Sequence, residues 1–234
     1  GVDKTTCTLY VAVGSKPLYQ TADQWKDFTH IVEMDSVVPD VNNITTIAGE
    51  LYTHIPAAVR DTLTTLTIKG TIDARDFRFM RDSLPGLAYL DIEDVDVVAY
   101  NGKGGTYPSF LERTDYPANS IPGHAFSNIT PEGHGNQILT SVKLPTSITD
   151  ISFFAFYLCV KLNSVPIPAS VISIGQCAFC GCTGIDSVVL PSTLKNVGPQ
   201  AFGYCKVSNP ILIPQSVLFI GLEAFAEWNA NISV

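Results

Sequence analysis

Residues 167–190 read IPASVISIGQCAFCGCTGIDSVVL. Val165-Pro166-Ile167 before the turn and Val188-Val189-Leu190 at its end each place apolar residues at first and third positions. That is the period-two pattern of a half-buried strand. Pro168 and Pro191 follow these runs. Proline has no N–H to give a ladder, so it ends the strand and turns the chain. Ile174 then opens a return side, Ala178-Phe179 points one small and one large apolar residue inward, and Cys182 and Ile185 lead back to the next strand.

The same unit recurs outward from this stretch. Ala155-Phe156, Ala178-Phe179, Ala201-Phe202 and Ala224-Phe225 are 23 residues apart, as are Pro145, Pro168, Pro191 and Pro214. A fixed period of this length is the mark of a solenoid in which each unit is one turn of a stacked coil. Ile151, Phe156, Cys159 and Leu162 fill the inward slots one copy earlier; Val197, Phe202 and Cys205 fill them one copy later, with Ile220 and Phe225 beyond. A lone unit cannot bury these side chains, but stacked units bury them against one another. Truncating a Phe of this column to Ala costs about 3–5 kcal/mol. Toward the N-terminus, Ala125-Phe126 keeps register with Ile121, but 30 residues precede the next Ala-Phe. The seven extra residues fall within TPEGHGNQ (130–137), whose Gly and Pro predict a surface loop. Leu63-Leu66-Ile68 and Leu84-Leu87-Leu90-Ile92 predict two earlier strands, and about 22 residues after Ile92 form an excursion containing YNGKGGTYPSF.

The succession strand, Pro, Ser-Val, Ile-Gly, Ala-Phe and Cys, as in IPASVISIGQCAFCGC and IPQSVLFIGLEAF, resembles the BspA-like leucine-rich repeats of bacterial cell-surface proteins. The likeness is specific across 121–234. LTTLTIKGTIDARDFRFMRDSLPGLAYLDI (63–92) resembles the opening units of such proteins, and YPANSIPGHAF their entry into the regular array. CTLYVAVGSKPLYQTADQWKDFTHIVE (7–33) is similar to the closing element that follows an array; standing first, it is either reused as a cap or marks a chain cut from a longer one, the second being the expectation. The resemblance implies a right-handed leucine-rich repeat stack with a narrow parallel β-sheet, short return segments and an N-terminal α/β cap-like element. The corresponding division is a cap-like element at 1–35, a linker at 36–47 containing SVVPDVNN, opening repeats with the long excursion at 48–120, and regular 23-residue repeats at 121–234.

Composition narrows the partners. The 234 residues carry a net charge of −8, so a nucleic-acid partner, which needs a basic surface, is not expected. No apolar run approaches the 18–20 residues of a membrane span. Charged residues make up 15% against about a quarter in ordinary domains, and Ser, Thr and Asn take their place on the outer surface.

Each chemical motif has a bland counterpart. Cys177, Cys180 and Cys182 form CAFCGC, yet zinc needs four ligands. Cys182 occupies the ladder slot of Cys159 and Cys205, and these three are read as stacked and reduced. Cys177 and Cys180 are placed near the surface as thiols or as a local disulfide. Asp91, Glu93, Asp94 and Asp96 lack the twelve-residue spacing of a calcium loop and read as a solvated acidic edge. His30, His54, His124 and His134 stand at no recognised distance from a nucleophile, and NGKGGTY lacks the spacing of a phosphate-binding loop. After Ser15 and Pro17, a short helix is predicted to dock Leu18, Trp25 and Phe28. Trp228 stands in the Cys slot of the last unit, which suggests a capping or interface role.

No catalytic residue, metal ligand or cofactor is predicted. The resemblance implies a surface-exposed or secreted, non-catalytic adhesion or protein-binding module of a host-associated bacterium. A glycan-binding module and a structural spacer are the alternatives. Side chains alternate along a strand, so the middle residue of each faces outward: Thr67, Asp91, Lys143, Pro166, Val189 and Leu212. The last three form an apolar run, the type of patch that marks contact surfaces, and are assigned to a protein partner or a second copy of the chain. Tyr100, Tyr107 and Phe110 of the excursion are the alternative contact group, the one that would suit a glycan.

Overall fold

The computed structural model describes residues 3–12, 14–34, 41–111, 113–127, 135–228 and 232–233. The chain divides into two compact units, 1–41 and 42–234.

In the first unit, β1 (Thr8–Ala12) pairs in parallel with β2 (His30–Met34), and α1 (Lys16–Thr21) lies on the connection between them. Parallel neighbours require such a crossover. Pro17 sits in the first turn of α1, where its missing N–H costs nothing. The Glu33 carboxylate accepts from the Lys16 N–H at 2.9 Å, fixing the helix start to β2. The predicted apolar docking face of this helix is not formed. α1 buries no residue and Leu18 is exposed. Trp25 and Phe28 lie beyond the helix, where Trp25 meets the rings of Tyr19 and Phe28 about 6 Å away.

The second unit begins with β3 (Asn43–Thr46), α2 (Leu51–His54), β4 (Thr65–Ile72), α3 (Ala74–Ser83), β5 (Tyr89–Asp91) and β6 (Val95–Val97). β3 pairs in parallel with β4 from Asn43↔Thr67 to Thr46↔Gly70. The reading of 36–47 as linker therefore fails at its C-terminal end: Ile44 and Thr46 are buried in the repeat sheet. Residues 36–40 of that linker lie outside the described residues. Asp73 caps α3 with its side chain, while the Asp76 carboxylate accepts from the backbone N–H of Asp73. The same carboxylate accepts from Gly49 and Leu51, so α3 is tied to the preceding loop by one buried acid.

The excursion is β7 (Tyr100–Asn101) and β8 (Asp115–Tyr116), paired antiparallel, with a single helical turn at Ser109–Leu111 between them. The array follows as β9 (Ser120–Ile121), β10 (Ser141–Lys143), β11 (Asp150–Ile151), β12 (Ser173–Ile174), β13 (Asn196–Val197), β14 (Ile211–Leu212), β15 (Phe219–Ile220) and β16 (Ile232–Ser233). Its continuous ladder is the return column, a parallel sheet in the order β15-β13-β12-β11-β9. The single narrow sheet expected along the other face is interrupted. β3, β4, β5 and β10 form its first part, and a bridge pairs Ser141 with Ser164. Residues 165–167 and 188–190 then form no strand, and pairing resumes between β14 and β16. Pro166 and Pro210 stand in or beside that stretch and supply no N–H to a ladder.

The interior is the predicted Phe column. Phe126, Phe156, Phe179, Phe202 and Phe225 stack with successive centroids 5.2, 5.1, 5.1 and 5.9 Å apart, close to the strand-to-strand spacing. Phe77 of α3 packs edge-on against Phe126 at 6.0 Å and joins the opening repeats to this column. Beside it, the thiols of Cys182 and Cys205 donate to the carbonyls of Phe156 and Phe179 at 3.0 and 3.1 Å. Cys159 does the same, at 3.6 Å, to Phe126. Trp228 completes the series: its indole N–H donates to the Phe202 carbonyl at 2.7 Å. The residue in this slot therefore answers one buried carbonyl per coil, and an indole serves as well as a thiol. Burial pushes the Cys159 and Cys205 thiols up to about 12 and raises Cys182 as well. All six cysteines are free, and Cys177 and Cys180, read as near-surface, are buried instead.

Tight corners hold the coils together. Phe154, Cys177, Gln200 and Glu223, each directly before an Ala-Phe, have φ between 51° and 57°. Leu158, Gly181, Tyr204 and Glu227, each two residues after the Phe, are also left-handed. Only Gly181 occupies this region without steric cost. At Gly198 the requirement is proximity: an added Cβ would lie 2.6 Å from the Gln176 nitrogen in the previous coil.

Candidate interaction surface

The strand column places its outward residues in register. Asn43, Thr67, Asp91 and Lys143 lie side by side through the pairings of β3, β4, β5 and β10. This part of the face is polar and internally paired: the Lys143 ammonium meets the Asp91 carboxylate at 2.7 Å, and Lys69 meets Asp94 at 3.1 Å. Lys143 holds the Asp91 carboxyl below its usual range against the opposing effect of burial, the largest single influence on it. The acidic edge of 91–96 is thus a solvated surface with two lysine partners.

Continuing along the column, Pro166, Val189 and Leu212 are exposed, Val189 at 83% and Leu212 at 66%. Their flanking residues Leu190, Ile211 and Ile213 are buried, as alternation along an extended segment requires. Where the ladder is lost at 165–167 and 188–190 the alternation keeps its direction but weakens: Pro166 and Val189 are exposed, while Val165, Ile167 and Val188 are half-buried. A second apolar set is exposed on and around β15: Leu218, Phe219, Ile220 and Leu222, of which the repeat pattern had assigned Ile220 to the interior. β15 is the last strand of its sheet, so the slot of Ile220, covered at Ile174 and Val197 in earlier coils, is open here, while Phe219 extends an outward position held by Ser173 and Asn196.

The excursion residues are arranged differently. Tyr107 lies between Tyr116, stacked at 4.4 Å, and Phe153, stacked at 5.5 Å. Tyr100 packs beside Tyr116 at 5.8 Å with the Arg75 guanidinium over its ring. The Tyr107 N–H donates to the Tyr116 hydroxyl and the Gly104 N–H to the Tyr100 hydroxyl. Burial raises the phenol pKa of both Tyr107 and Tyr116. These rings hold the loop on the return side, at Phe153. Phe110 alone of the three predicted residues projects freely, 67% exposed. The structure therefore sets the stripe on the strand column and the tyrosines in a packed aromatic cluster.

Sequence reasoning passed over the arginines of α3. Arg75, Arg78 and Arg81 recur every three residues, a spacing that lays them along one helix side. Arg81 donates to the carbonyls of Thr106 and His124, both at 2.8 Å, and so clamps the excursion to the array. His134 lies outside the described residues, as do most of the seven inserted residues. Among the described residues no group of three or more His, Cys, Asp or Glu side chains converges as a metal site.

A family profile described as "BspA type Leucine rich repeat region" matches residues 111–232 in six copies. The chain belongs to the BspA-type leucine-rich repeat family. Solved structures with similarity include a leucine-rich repeat protein from Bacteroides ovatus ATCC 8483, 35% identical over 53% of this chain and 30% of that one, with a TM-score of 0.42. A leucine rich cell surface protein from Faecalibacterium prausnitzii A2-165 is 19% identical, over 87% and 63% of the two chains, with a TM-score of 0.44. The pneumococcal vaccine antigen PcpA is 16% identical, over 87% and 52%, with a TM-score of 0.38. The chain thus spans 30% and 63% of the length of the first two. Every one of these TM-scores is below 0.5, so membership rests on the repeat match. A search of curated proteins found no match. No described helix of this BspA-type chain is long and apolar enough to cross a membrane.

Proposed function

We propose that this BspA-type repeat protein is a non-catalytic binding module, displayed on the surface of a host-associated bacterium or secreted from it, that engages a protein partner through Pro166, Val189 and Leu212. One observation carries the reading: Val189 and Leu212 are large apolar side chains, outward and exposed, on a column that is otherwise polar and ion-paired. They have no packing duty in their own coils, and contiguous apolar patches of this type mark contact surfaces. Family membership supports a binding role over a reaction. Right-handed winding belongs to the same reading, since parallel strands joined by a crossover take that hand almost without exception. So does a capping role for 1–35, supported by its resemblance to the family's closing element. A glycan-binding excursion has less support, because both faces of Tyr107 are covered.

The test uses beads coated with the protein and a layer of host epithelial cells. Beads should adhere to the cells, and protease treatment of the cells should remove adhesion. Val189→Asp combined with Leu212→Asp should abolish adhesion with the melting profile unchanged. Adhesion removed by glycosidase but not by protease would favour the glycan reading. Full adhesion by the double variant would move the contact to Phe110 and the excursion.

A further inference from the structure

The charge of this chain is distributed unevenly. Against a net −8, a cavity of about 690 Å³ between α3 and the excursion is lined by Arg78, Arg81, Lys103 and Arg113, with Asp82 as its only acid among the described residues. The volume lies within the range of ligand sites.

Asp82 is already committed. Its two oxygens meet the Arg81 Nε at 2.7 Å and a terminal nitrogen of the same guanidinium at 3.1 Å. Arg81 spends its remaining nitrogen on the Thr106 and His124 carbonyls and is largely buried. It is a structural wall, neutralised in place. Arg78 reaches Asp82 only at 3.4 Å and stays exposed. Lys103 and Arg113 form no salt bridge with any described residue. Arg113 is held by rings instead, its guanidinium 5.8 Å from the Tyr107 centroid and 5.1 Å from Phe153. That contact orients a planar fork; one donor reaches the Tyr107 hydroxyl, and a guanidinium has five N–H donors in all. Three cations are thus gathered in a concave site whose described lining holds a single acid, Asp82. A cleft of one sign concentrates ligands of the other.

We infer that this cavity binds an acidic peptide segment of a partner protein, with Arg78, Lys103 and Arg113 receiving its carboxylates. Guanidinium forks match carboxylates in geometry. A sugar ring finds no stacking platform here, because Tyr116 and Phe153 cover both faces of Tyr107. The exposed Phe110 belongs to the same helical turn, Ser109–Leu111, whose Ser109 lines the cavity. It offers an apolar contact beside the cations, which suits a segment alternating acidic and apolar residues and has no counterpart in a sulfated sugar chain. This site is separate from the stripe at Pro166, Val189 and Leu212, and neither needs the other.

The experiment is fluorescence anisotropy on the full chain with a labelled peptide of sequence Glu-Glu-Phe-Glu-Glu, and in parallel with a heparin-type sulfated oligosaccharide and inorganic sulfate. The peptide should bind, more weakly as salt is raised. Arg78→Gln with Lys103→Gln should weaken it at least about tenfold, and adding Arg113→Gln should remove it. The exposed Lys161→Gln serves as a control and should change nothing, and Val189→Asp with Leu212→Asp should also leave peptide binding intact. Arg78 and Lys103 are exposed and anchor no buried group, so the first pair reports on binding even where Arg113→Gln loosens the ring cluster. Binding of the sulfated oligosaccharide with none of the peptide would overturn the inference. So would no binding of either, or peptide binding that the Arg78 and Lys103 changes leave untouched.

Discussion

His124 shows how much one buried residue records of its surroundings. Its side chain is buried, lies flat against Phe154 at 5.2 Å and hydrogen-bonds Ser127 through Nδ1. Burial first, and the positive charge of Arg81 second, hold its pKa down to about 4, from an ordinary 6.5. Above pH 6.5 the ring is neutral in the folded and unfolded chain alike, and it exacts no pH-dependent penalty. As pH falls from 6.5 toward 4, the unfolded chain takes up a proton that the folded chain refuses, so stability drains away; below about 4 the loss is complete. His124→Asn removes this titration and suits the left-handed φ of 59° at the position. Urea unfolding should show wild type losing stability relative to the variant as pH drops through this window. A constant difference would mean that the ring protonates without cost. The cysteine slot makes a related point, since Trp228 repeats the thiol bonds of Cys182 and Cys205 with a different donor. That slot selects for a buried hydrogen-bond donor, not for sulfur chemistry.

Among the elements, the return column carries the array's unbroken ladder although each of its strands has only two residues. Such short strands pair because the coils approach closely at fixed points, and Gly198 is one of them. Gly198→Ala would drive a methyl group into the Gln176 and Gly175 backbone, at 2.6 and 2.7 Å. Backbone has no rotamer with which to yield. The change should therefore cost about 1–3 kcal/mol, in the range of overpacked cores, and the measurement is the shift of the urea midpoint. A shift indistinguishable from zero would show that the coils can separate locally. The excursion follows a different rule. It is an antiparallel pair held by tyrosine hydroxyls and by Arg81, and no repeat period governs its residues.

For the whole molecule, each of the two units has its own buried residues: Val11 and Ile31 in the first, the Phe column and the leucine strands in the second. In repeat arrays, stability is close to a sum of each coil and its nearest neighbours. Residues 42–234 produced without 1–41 should therefore keep the circular dichroism of the second unit and its unfolding midpoint. Aggregation or loss of the cooperative transition would show that the leading unit completes the array's core. Charge is likewise organised at this scale. A chain of net −8 concentrates cations at one concave place, which local composition does not disclose.

The amino-acid sequence by itself determined the repeat fold, the 23-residue coil, the identity of the Phe and Cys columns and the outward direction of Val189 and Leu212. Period and side-chain alternation are local properties of the chain, and stacking identical units turns them into a core. Only the tertiary structure decided which column keeps its ladder, because that depends on where neighbouring coils approach closely enough to pair, as at Gly198, and no single unit's sequence sets that distance. It also decided that β3 joins the sheet, that Cys177 and Cys180 are covered, and that Tyr100 and Tyr107 are packed. Arg78, Lys103 and Arg113 lie up to 35 positions apart in the sequence. They meet because the excursion folds back against α3, a contact set by the clamp of Arg81 and the rings of Tyr107 and Phe153 rather than by any periodic signal.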